Sequence, residues 1–266
     1  EVYTWRAADE QAVCASWIGK QPEAFTVWRR LLAQADLPEH ERQRIATNRD
    51  VCVPTMLRAA MHYPDHQVQQ LAANPHVGEV VCSLIAGPDR SEIEQTLNSF
   101  LHCCTDIERI GRFLLWDAGL SEQDRAVLAE RYGFLEFYQH DPEYRPSLIP
   151  TQIPRQIHQR FWLHLGQGWR FFAPEDLITR LMAVVEAEPQ VVQVAINLSD
   201  ATTLTHISAP ENTVRRGHHT GRYLLTDTVA DGPALFDTTR LGRIGDPYTA
   251  SLDEVLCIHS SAVDDA

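Results

Sequence analysis

The fold of this chain is decided by Val80-Val-Cys-Ser-Leu-Ile85 and by two further apolar runs, Ile110-Gly-Arg-Phe-Leu-Leu-Trp116 and Leu135-Glu-Phe-Tyr138. Each run is short and rich in residues that favour strands, which predicts three buried β-strands. Ser91 and Glu94 form a capping-box pattern that predicts a helix after the first strand. Ser121-Glu-Gln-Asp124 likewise predicts a helix before the third strand. Strands that alternate with helices in this way indicate a parallel sheet.

Asp117 follows the second predicted strand directly, where the chain enters a loop. In parallel sheets flanked by helices, ligands bind beyond the carboxyl ends of the strands. The sequence therefore makes Asp117 a candidate ligand-binding residue.

Several segments, in the right order, resemble the inverting family-2 glycosyltransferases with a GT-A fold. The segments on the donor side are Ser83–Arg90, Thr96–Leu101, Leu115–Asp117 and Ser121–Arg125. Further segments resemble the one that carries the family's metal-binding acids (Arg160–Phe172), its acceptor-side strand (Ala230–Asp237) and its catalytic-base segment (Leu252–Val255). The resemblance spans roughly residues 79 to 260.

This resemblance implies an α/β, Rossmann-like fold in which helices flank a mixed, mainly parallel sheet. It also implies the transfer of a sugar from a UDP- or GDP-linked donor to an acceptor hydroxyl, and it leaves the acceptor unknown. Such a reaction needs a site for the base and ribose, compensation of the leaving diphosphate charge, and a carboxylate that takes the acceptor's proton.

The resemblance assigns site residues to three groups. The donor-side residues are Gly87, Arg90, Asp117, Arg145, Ser147, Gln167 and Trp169. Among them, Asp117 and Arg90 would bind the nucleotide, and Arg145 would neutralise the diphosphate. Gly232 and Pro233 lie on the acceptor side, and the catalytic base is Asp253 or Glu254. A solvated arginine at position 145 and an acidic helix cap at 253–254 are the competing interpretations.

The metal-binding motif departs from the family pattern. The family has two or three carboxylates before a tryptophan, and they bind Mg²⁺ or Mn²⁺ against the diphosphate. Here Gly166, Gln167 and Gly168 precede Trp169. Glycine has no side-chain ligand, and a glutamine amide is a poor ligand for a hard divalent ion. We therefore expect no cofactor and no metal ligand at these positions, although Mg²⁺ or Mn²⁺ stays possible.

Two hypotheses follow from this departure. In the first, the chain is an enzyme that transfers sugar without the usual metal and uses Arg145, His164 or another cation. In the second, the fold has lost catalysis and serves as a binding or regulatory module. His164 and His259 are also candidate ligands of another metal, but isolated histidines are more often structural. The sequence has no phosphate-binding glycine loop, nucleophile elbow or zinc-protease motif.

The composition is that of an ordinary globular protein, with 266 residues, 44% hydrophobic and 22% charged. The formal net charge of -13 argues against broad binding to nucleic-acid backbones. No apolar run approaches the ~20 residues that span a membrane. The six cysteines show no Cys-x-x-Cys spacing, which predicts a reduced, cytoplasmic protein without structural zinc.

Residues 1–78 have helical periodicity and are predicted to form a small N-terminal domain, with residues 79–266 as the second domain. Ile45-Ala-Thr-Asn48 recurs as Leu71-Ala-Ala-Asn74, which resembles the leucine-rich-variant type of helical repeat. This domain is either a partner-binding surface or a structural cap on the sheet. Trp5, Trp17 and Trp28 are interpreted as core or interdomain packing.

The remaining elements follow from shorter patterns. Strands are predicted at Phe161–Leu165, Val191–Leu198, Tyr223–Leu225 and Ala234–Phe236. Pro174-Glu-Asp176 opens a predicted helix over Leu177–Ala187, with Glu175 and Asp176 as caps. Leu204–Gly221 has no clear period and is predicted to be a surface loop.

Overall fold

The computed structural model describes residues 2–34, 37–73, 78–139, 153–166, 168–197, 203–204, 207–208, 214–226, 232–244 and 257–261. Its helices are α1 (Val2–Trp17), α2 (Gln21–Ala33), α3 (Glu39–Asp50), α4 (Val53–Ala60), α5 (Asp65–Ala73), α6 (Arg90–Cys103), α7 (Glu122–Arg131), α8 (Leu177–Ala187) and α9 (Thr238–Ile244). Its strands are β1 (Val80–Ala86), β2 (Ile110–Asp117), β3 (Leu135–Gln139), β4 (Phe161–Leu165), β5 (Gln193–Asn197), β6 (Thr203–Leu204), β7 (Ile207–Ser208), β8 (Arg215–Gly217), β9 (Gly221–Thr226), β10 (Ala234–Asp237) and β11 (Cys257–Ser261). None of the described helices is both long enough and apolar enough to cross a bilayer.

The main sheet has the strand order β3-β2-β1-β4-β10-β5-β11-β9-β8. β1 pairs in parallel with β2 and β4, and β2 pairs in parallel with β3. β10 lies antiparallel between β4 and β5, while β11 is parallel to β5. Along the first six strands of this order, β10 alone runs against the others. The prediction of a mixed, mainly parallel sheet flanked by helices is confirmed.

Both faces of the sheet are covered. On one face, Val80 and Leu84 pack with α6, whose Leu97 and Phe100 are fully buried. On the other face, a second cluster joins β2, β4 and β10 to α9 and to a 3₁₀ turn that begins at Ile153. Burial of a large apolar side chain such as Phe100 contributes about 1.5–3 kcal/mol. These two clusters hold the strand ends in fixed positions.

α6 begins two residues earlier than the capping box predicts. Its N-cap is Asp89, which has extended backbone and accepts the N–H of Ser91 at 2.8 Å. Ser91 already lies inside the helix, so the predicted capping box with Glu94 is wrong. The predicted cap of α7 is confirmed, because Ser121 Oγ accepts the N–H of Asp124 at 3.0 Å.

The first turn of α8 is capped by a residue far away in the sequence. Buried Asp106 accepts the N–H of Ile178 at 3.2 Å and the N–H of Thr179 at 2.6 Å. Asp176 makes no side-chain cap bond, and Glu175 accepts instead from Arg180. Asp176 thus occupies the predicted N-cap position, but the side-chain cap bonds come from Asp106 and not from Glu175 or Asp176.

Part of the predicted loop over 204–221 forms short strands. β8 and β9 form an antiparallel hairpin in which Gly217 lies opposite Gly221. β6 and β7 form a separate two-stranded sheet. Because β6, β7 and β8 are only two or three residues long, they produce no recognisable period in the sequence. The prediction of a strand at Tyr223–Leu225 is confirmed within β9.

The N-terminal helices share a core of their own. Trp5 and Trp28 are buried in it, and Trp28 Nε1 donates to Asp9 at 2.9 Å. Trp17 is 84% exposed at the end of α1, so its interpretation as a packing residue is wrong. The cause is its position, since the last residue of α1 faces solvent where the chain turns into α2.

α5 packs differently from the helices before it. Val68 and Leu71 of α5 belong to the core of the sheet, whereas Ile45 of α3 belongs to the helical core. The two copies of the repeat-like sequence thus bury their first residues in different clusters. The helical repeat and the division into domains 1–78 and 79–266 stay predictions.

Polar contacts join the N-terminal helices to the rest of the chain. Arg29 donates to the carbonyl of Pro174 at 3.3 Å and lies 3.7 Å from the carboxylate of Glu175. Arg222 of β9 donates to the carbonyl of Leu32 at 3.2 Å. Buried arginines of this kind are stable only with such partners, because an unpaired buried charge is costly.

Replacing Asp106 by alanine should lower the free energy of unfolding by about 1–2 kcal/mol, because two backbone N–H groups of α8 lose their acceptor. The matched control is Asp176→Ala, which should cost less than about 0.5 kcal/mol. Urea denaturation followed by circular dichroism measures both. Equal losses in the two variants would contradict the assignment of Asp106 as the cap.

Candidate functional site

The carboxyl ends of the central strands meet at one edge of the sheet, which we call the carboxyl edge. Ala86 of β1 lies opposite Asp117 of β2, and Ala234 of β10 lies opposite His164 of β4. The predicted site residues that adjoin these strand ends are Gly87, Asp117, Trp169, Gly232 and Pro233. The structure therefore brings residues from the predicted donor side and the predicted acceptor side to the same edge of the sheet.

Asp117 ends β2 with a buried side chain whose two oxygens both accept hydrogen bonds. Its Oδ1 accepts the N–H of Gly119 at 2.9 Å and the N–H of Leu120 at 2.8 Å. Its Oδ2 accepts from the guanidinium of Arg125 on α7. A carboxylate oxygen has two lone pairs, so Oδ2 can accept one further hydrogen bond. The role of Asp117 toward a nucleotide stays a prediction.

Burial and hydrogen bonding act on the Asp117 carboxyl in opposite directions. Burial alone would raise its pKa, but the N–H groups of Gly119 and Leu120 and the guanidinium of Arg125 outweigh burial. The pKa of Asp117 therefore lies below its ordinary value. The group is negatively charged at neutral pH and fixed in one orientation.

Arg90, the first residue of α6, forms an ion pair with Asp124 in the first turn of α7. Its Nη1 lies 3.4 Å from Asp124 Oδ1, and its Nε lies 3.9 Å from Glu94 Oε1. Asp124 also accepts the hydroxyl of Ser121 at 2.6 Å. Arg90 is partly exposed, so it can reach a ligand only while it shares its charge with these carboxylates.

The chain after β4 folds into a tight turn that brings a tryptophan back over the strand end. The N–H of Trp169 donates to the carbonyl of Gly166 at 3.3 Å. Gly168 has φ 74°, the left-handed backbone that the third position of such a turn favours. A methyl carbon built on Gly166 would lie 2.6 Å from Trp169 Cδ1, and one built on Gly232 would lie 2.8 Å from Cζ2. The indole thus rests on two glycines.

The residues of this turn do not fit a divalent metal ion. Gly166 and Gly168 have no side-chain ligand, and the indole of Trp169 fills the space beside Gly166. Among the residues that the structure describes, no group of three or more His, Cys, Asp or Glu side chains could hold a metal. Mg²⁺ and Mn²⁺ require several oxygen ligands at short distance. The described residues of the turn, Gly166, Gly168 and Trp169, therefore supply no carboxylate ligand, and the absence of a metal stays a prediction.

His164 lies inside the sheet and not on its edge. Its Nδ1 is 2.9 Å from Ser83 Oγ, which accepts the indole N–H of Trp162 at 2.7 Å. Burial lowers the pKa of His164 to about 4, so the ring is neutral at pH 7. The interpretation of His164 as a cation for the diphosphate is therefore wrong, because burial removes the charge.

Several predicted residues lie outside the described part of the chain: Arg145, Ser147, Gln167, Asp253 and Glu254. Their roles stay predictions. His259 belongs to β11, whose backbone pairs in parallel with β5. In the sequence the acidic pair precedes the amino end of β11. The alternative of a helix cap stays open.

Arg125 is a site residue to which no sequence pattern gives a role, although it lies in the Ser121–Arg125 segment. The structure brings its guanidinium onto Asp117. The sequence feature that could have identified Arg125 is its position on α7, one turn after the N-cap Ser121. A basic residue there faces back toward the strand end before the helix.

Comparison with solved structures finds similar folds. One is GalNAc-T7 crystallised with UDP, GalNAc and Mn²⁺, with a TM-score of 0.51, 8% identity, and coverage of 70% of this chain and 44% of that chain. Another is the mannosyltransferase PcManGT from Pyrobaculum calidifontis in complex with GDP-Man and Mn²⁺, with a TM-score of 0.50, 9% identity, and coverage of 80% of this chain and 66% of that chain.

At these identities the likeness shows the fold alone, and the prediction of a GT-A-type fold is confirmed. This chain spans less than two thirds of either protein, 44% of one and 66% of the other. A scan of protein-family models and a search of curated proteins both find no match to the sequence. Membership of family 2 stays a prediction.

The ion pair of Asp117 with Arg125 gives a pH-dependent prediction. Asp117→Asn should lower the free energy of unfolding by about 1–2 kcal/mol at pH 7, because a hydrogen bond to a charged group is lost. The folded-state pKa is depressed, so this contribution is complete above the unfolded-state pKa and is lost as pH falls through the folded-state pKa. The difference between the two proteins should shrink below about pH 4. Urea denaturation across pH measures it, and a difference that does not change with pH would contradict the charge assignment.

Proposed function

We propose that this chain binds a nucleoside-diphosphate sugar, linked to UDP or GDP, at the carboxyl edge and transfers the sugar to an acceptor hydroxyl. The transfer inverts the anomeric centre and does not use a metal held by an acidic motif. The observation that carries the proposal is the GT-A-type fold, together with a charged, fixed carboxylate at the end of β2. Two solved structures of similar fold were determined with a nucleotide or a nucleotide sugar.

The donor would lie across the ends of β1, β2 and β4. Asp117 Oδ2 has one acceptor position left for a base or ribose donor group. Arg90, at the start of α6, lies 3.4 Å from Asp124 of α7. Gly87 is buried directly after β1, where a side chain would narrow the approach of a ligand. Arg145 and Ser147 would contact the diphosphate, and Gln167 and Trp169 would border it from β4.

The acceptor would enter beside Gly232 and Pro233. Asp253 or Glu254 takes the proton from its hydroxyl, and the oxygen attacks the anomeric carbon from the side opposite the leaving group. The bond from that carbon to the donor's phosphate oxygen breaks, and the nucleoside diphosphate leaves with the electron pair. The guanidinium of Arg145 compensates the added negative charge.

A second candidate function is a non-catalytic binding or regulatory module. It is favoured by the replacement of the acidic motif with Gly166, Gln167 and Gly168. Exposed apolar residues at the end of α1 favour a protein partner for the N-terminal helices, since Trp17 is 84% and Ile18 is 70% exposed.

The five cysteines whose side chains the structure describes are free thiols, which supports the proposal of a cytoplasmic location.

Isothermal titration calorimetry with UDP, GDP and their sugars tests donor binding. One of these nucleotides should bind, and replacing EDTA with Mn²⁺ should change the dissociation constant by less than about threefold, because no acidic ligands join the ion to the protein. Absence of binding by every nucleotide would remove the proposed donor site. A large gain in affinity with Mn²⁺ would contradict the metal-independent part.

Turnover of nucleotide sugars separates the two candidate functions. In an active enzyme, either Asp253→Asn or Glu254→Gln should reduce kcat by about 10²–10⁴-fold, because the general base is lost, while the other variant stays near wild type. Nucleotide affinity should be unchanged in both variants, which provides the control for folding. Binding of a nucleotide without turnover of any UDP- or GDP-sugar would favour the non-catalytic module.

A further inference from the structure

The indole of Trp169 lies in the space that a side chain at position 166 would enter. A methyl carbon built on Gly166 would lie 2.6 Å from Cδ1 and 2.9 Å from Nε1 of this ring. The same carbon would lie 3.4 Å from the Cα of Gly232 on the neighbouring strand. Separations below about 3 Å are far inside van der Waals contact between heavy atoms. Gly166 and Trp169 therefore depend on each other sterically.

A second glycine, Gly232, adjoins Gly166 and contacts the six-membered part of the same ring. A methyl carbon built on Gly232 would lie 2.8 Å from Cζ2 and 3.2 Å from Cε2 of the indole. Gly232 directly precedes Pro233, whose carbonyl accepts the N–H of Ile196 at 2.8 Å. This bond fixes the start of β10 against β5. The ring is thus bounded by two backbones that the sheet holds in place.

The backbone on both sides of Trp169 is also anchored. Before it, the turn closes through the hydrogen bond from Trp169 N–H to the Gly166 carbonyl. After it, the N–H of Phe171 donates to Ser99 Oγ of α6 at 3.1 Å, and the Phe171 ring packs edge-on against Phe100 at 5.3 Å. With both neighbours fixed, the indole keeps its position against the two glycines.

We infer that the indole of Trp169 takes the place of a metal ion at this turn. Its neutral ring fills the space of a side chain at position 166, where the resemblance puts the first carboxylate of the metal-binding motif, and thereby excludes a divalent ion. The inference deepens the proposed function and rests on it for the statement that this place borders a donor. It assigns Gly166 and Gly232 a joint role as the seat of the ring. It also means that restoring a carboxylate at position 166 cannot by itself restore a metal site.

A consequence concerns charge compensation. With a ring in place of a cation, the negative charge of a bound nucleotide has to be compensated by arginine side chains. In the described part of the carboxyl edge, Arg125 contacts Asp117, and Arg90 lies near Asp124 and Glu94. These arginines already share their charge with carboxylates, so the site differs electrostatically from one that holds Mn²⁺.

A double-mutant cycle on thermal stability tests the steric claim. Gly166→Asp should lower Tm by roughly 3–10 °C, because overpacking against a fixed ring costs stability. In a Trp169→Gly background, the same substitution should shift Tm by less than about 2 °C. Gly133→Asp is the matched control, because nothing lies within 4 Å of a methyl carbon at that glycine. A Gly166→Asp loss no larger than that of Gly133→Asp, or equal in both backgrounds, would overturn the inference.

Binding of Mn²⁺ alone, measured by electron paramagnetic resonance, tests the exclusion of the metal. The variant G166D/G168D keeps the ring, and G166D/G168D/W169G removes it, so any strain at position 168 is common to both. The variant without the ring should bind Mn²⁺ at least about tenfold more tightly. Equal binding by the two variants, including none by either, would overturn the inference. No nucleotide enters these measurements, so a failure of nucleotide binding by the wild type would remove the proposed function and leave these outcomes distinct.

Discussion

The pairing of β4 with β1 on one side and with β10 on the other is the constraint on which the site depends. It brings the residue after β4, Gly166, opposite Gly232 before β10. The side chain nearest to both glycines is the indole of Trp169. Because both glycines lack a Cβ, two strands and one ring can meet here without strain. The chemistry of the edge follows from that neutral junction.

The charged groups around the junction are held by their own loops. Asp117 is fixed by two backbone N–H groups and by Arg125, and burial does not prevent its ionisation. His164, one residue before the end of β4, is neutral because it is buried with Ser83. The edge thus presents the fixed carboxylate of Asp117, arginines that are already paired with carboxylates, and the indole of Trp169. That combination suits recognition of a base or ribose better than direct coordination of a metal ion.

The sequence predicts the elements of the fold well, because the apolar runs of β1, β2 and β4 are short and bounded by turns. It also places Asp117 correctly at the end of β2. It fails where contacts join distant segments, as in the cap of α8 by Asp106 and the ion pair of Arg125 with Asp117. The seat of Trp169 depends on the register of β10 with β4, which no local pattern encodes. Short strands such as β8 give no period to detect.

A crystal structure of the chain grown with UDP or GDP and Mn²⁺, with anomalous data at the manganese edge, tests the central claim most directly. The account predicts nucleotide density beside Asp117, the indole of Trp169 still seated on Gly166 and Gly232, and no anomalous peak within coordination distance of residues 166–168. A manganese peak at that turn with the ring displaced, or a nucleotide bound away from the carboxyl edge, would contradict it.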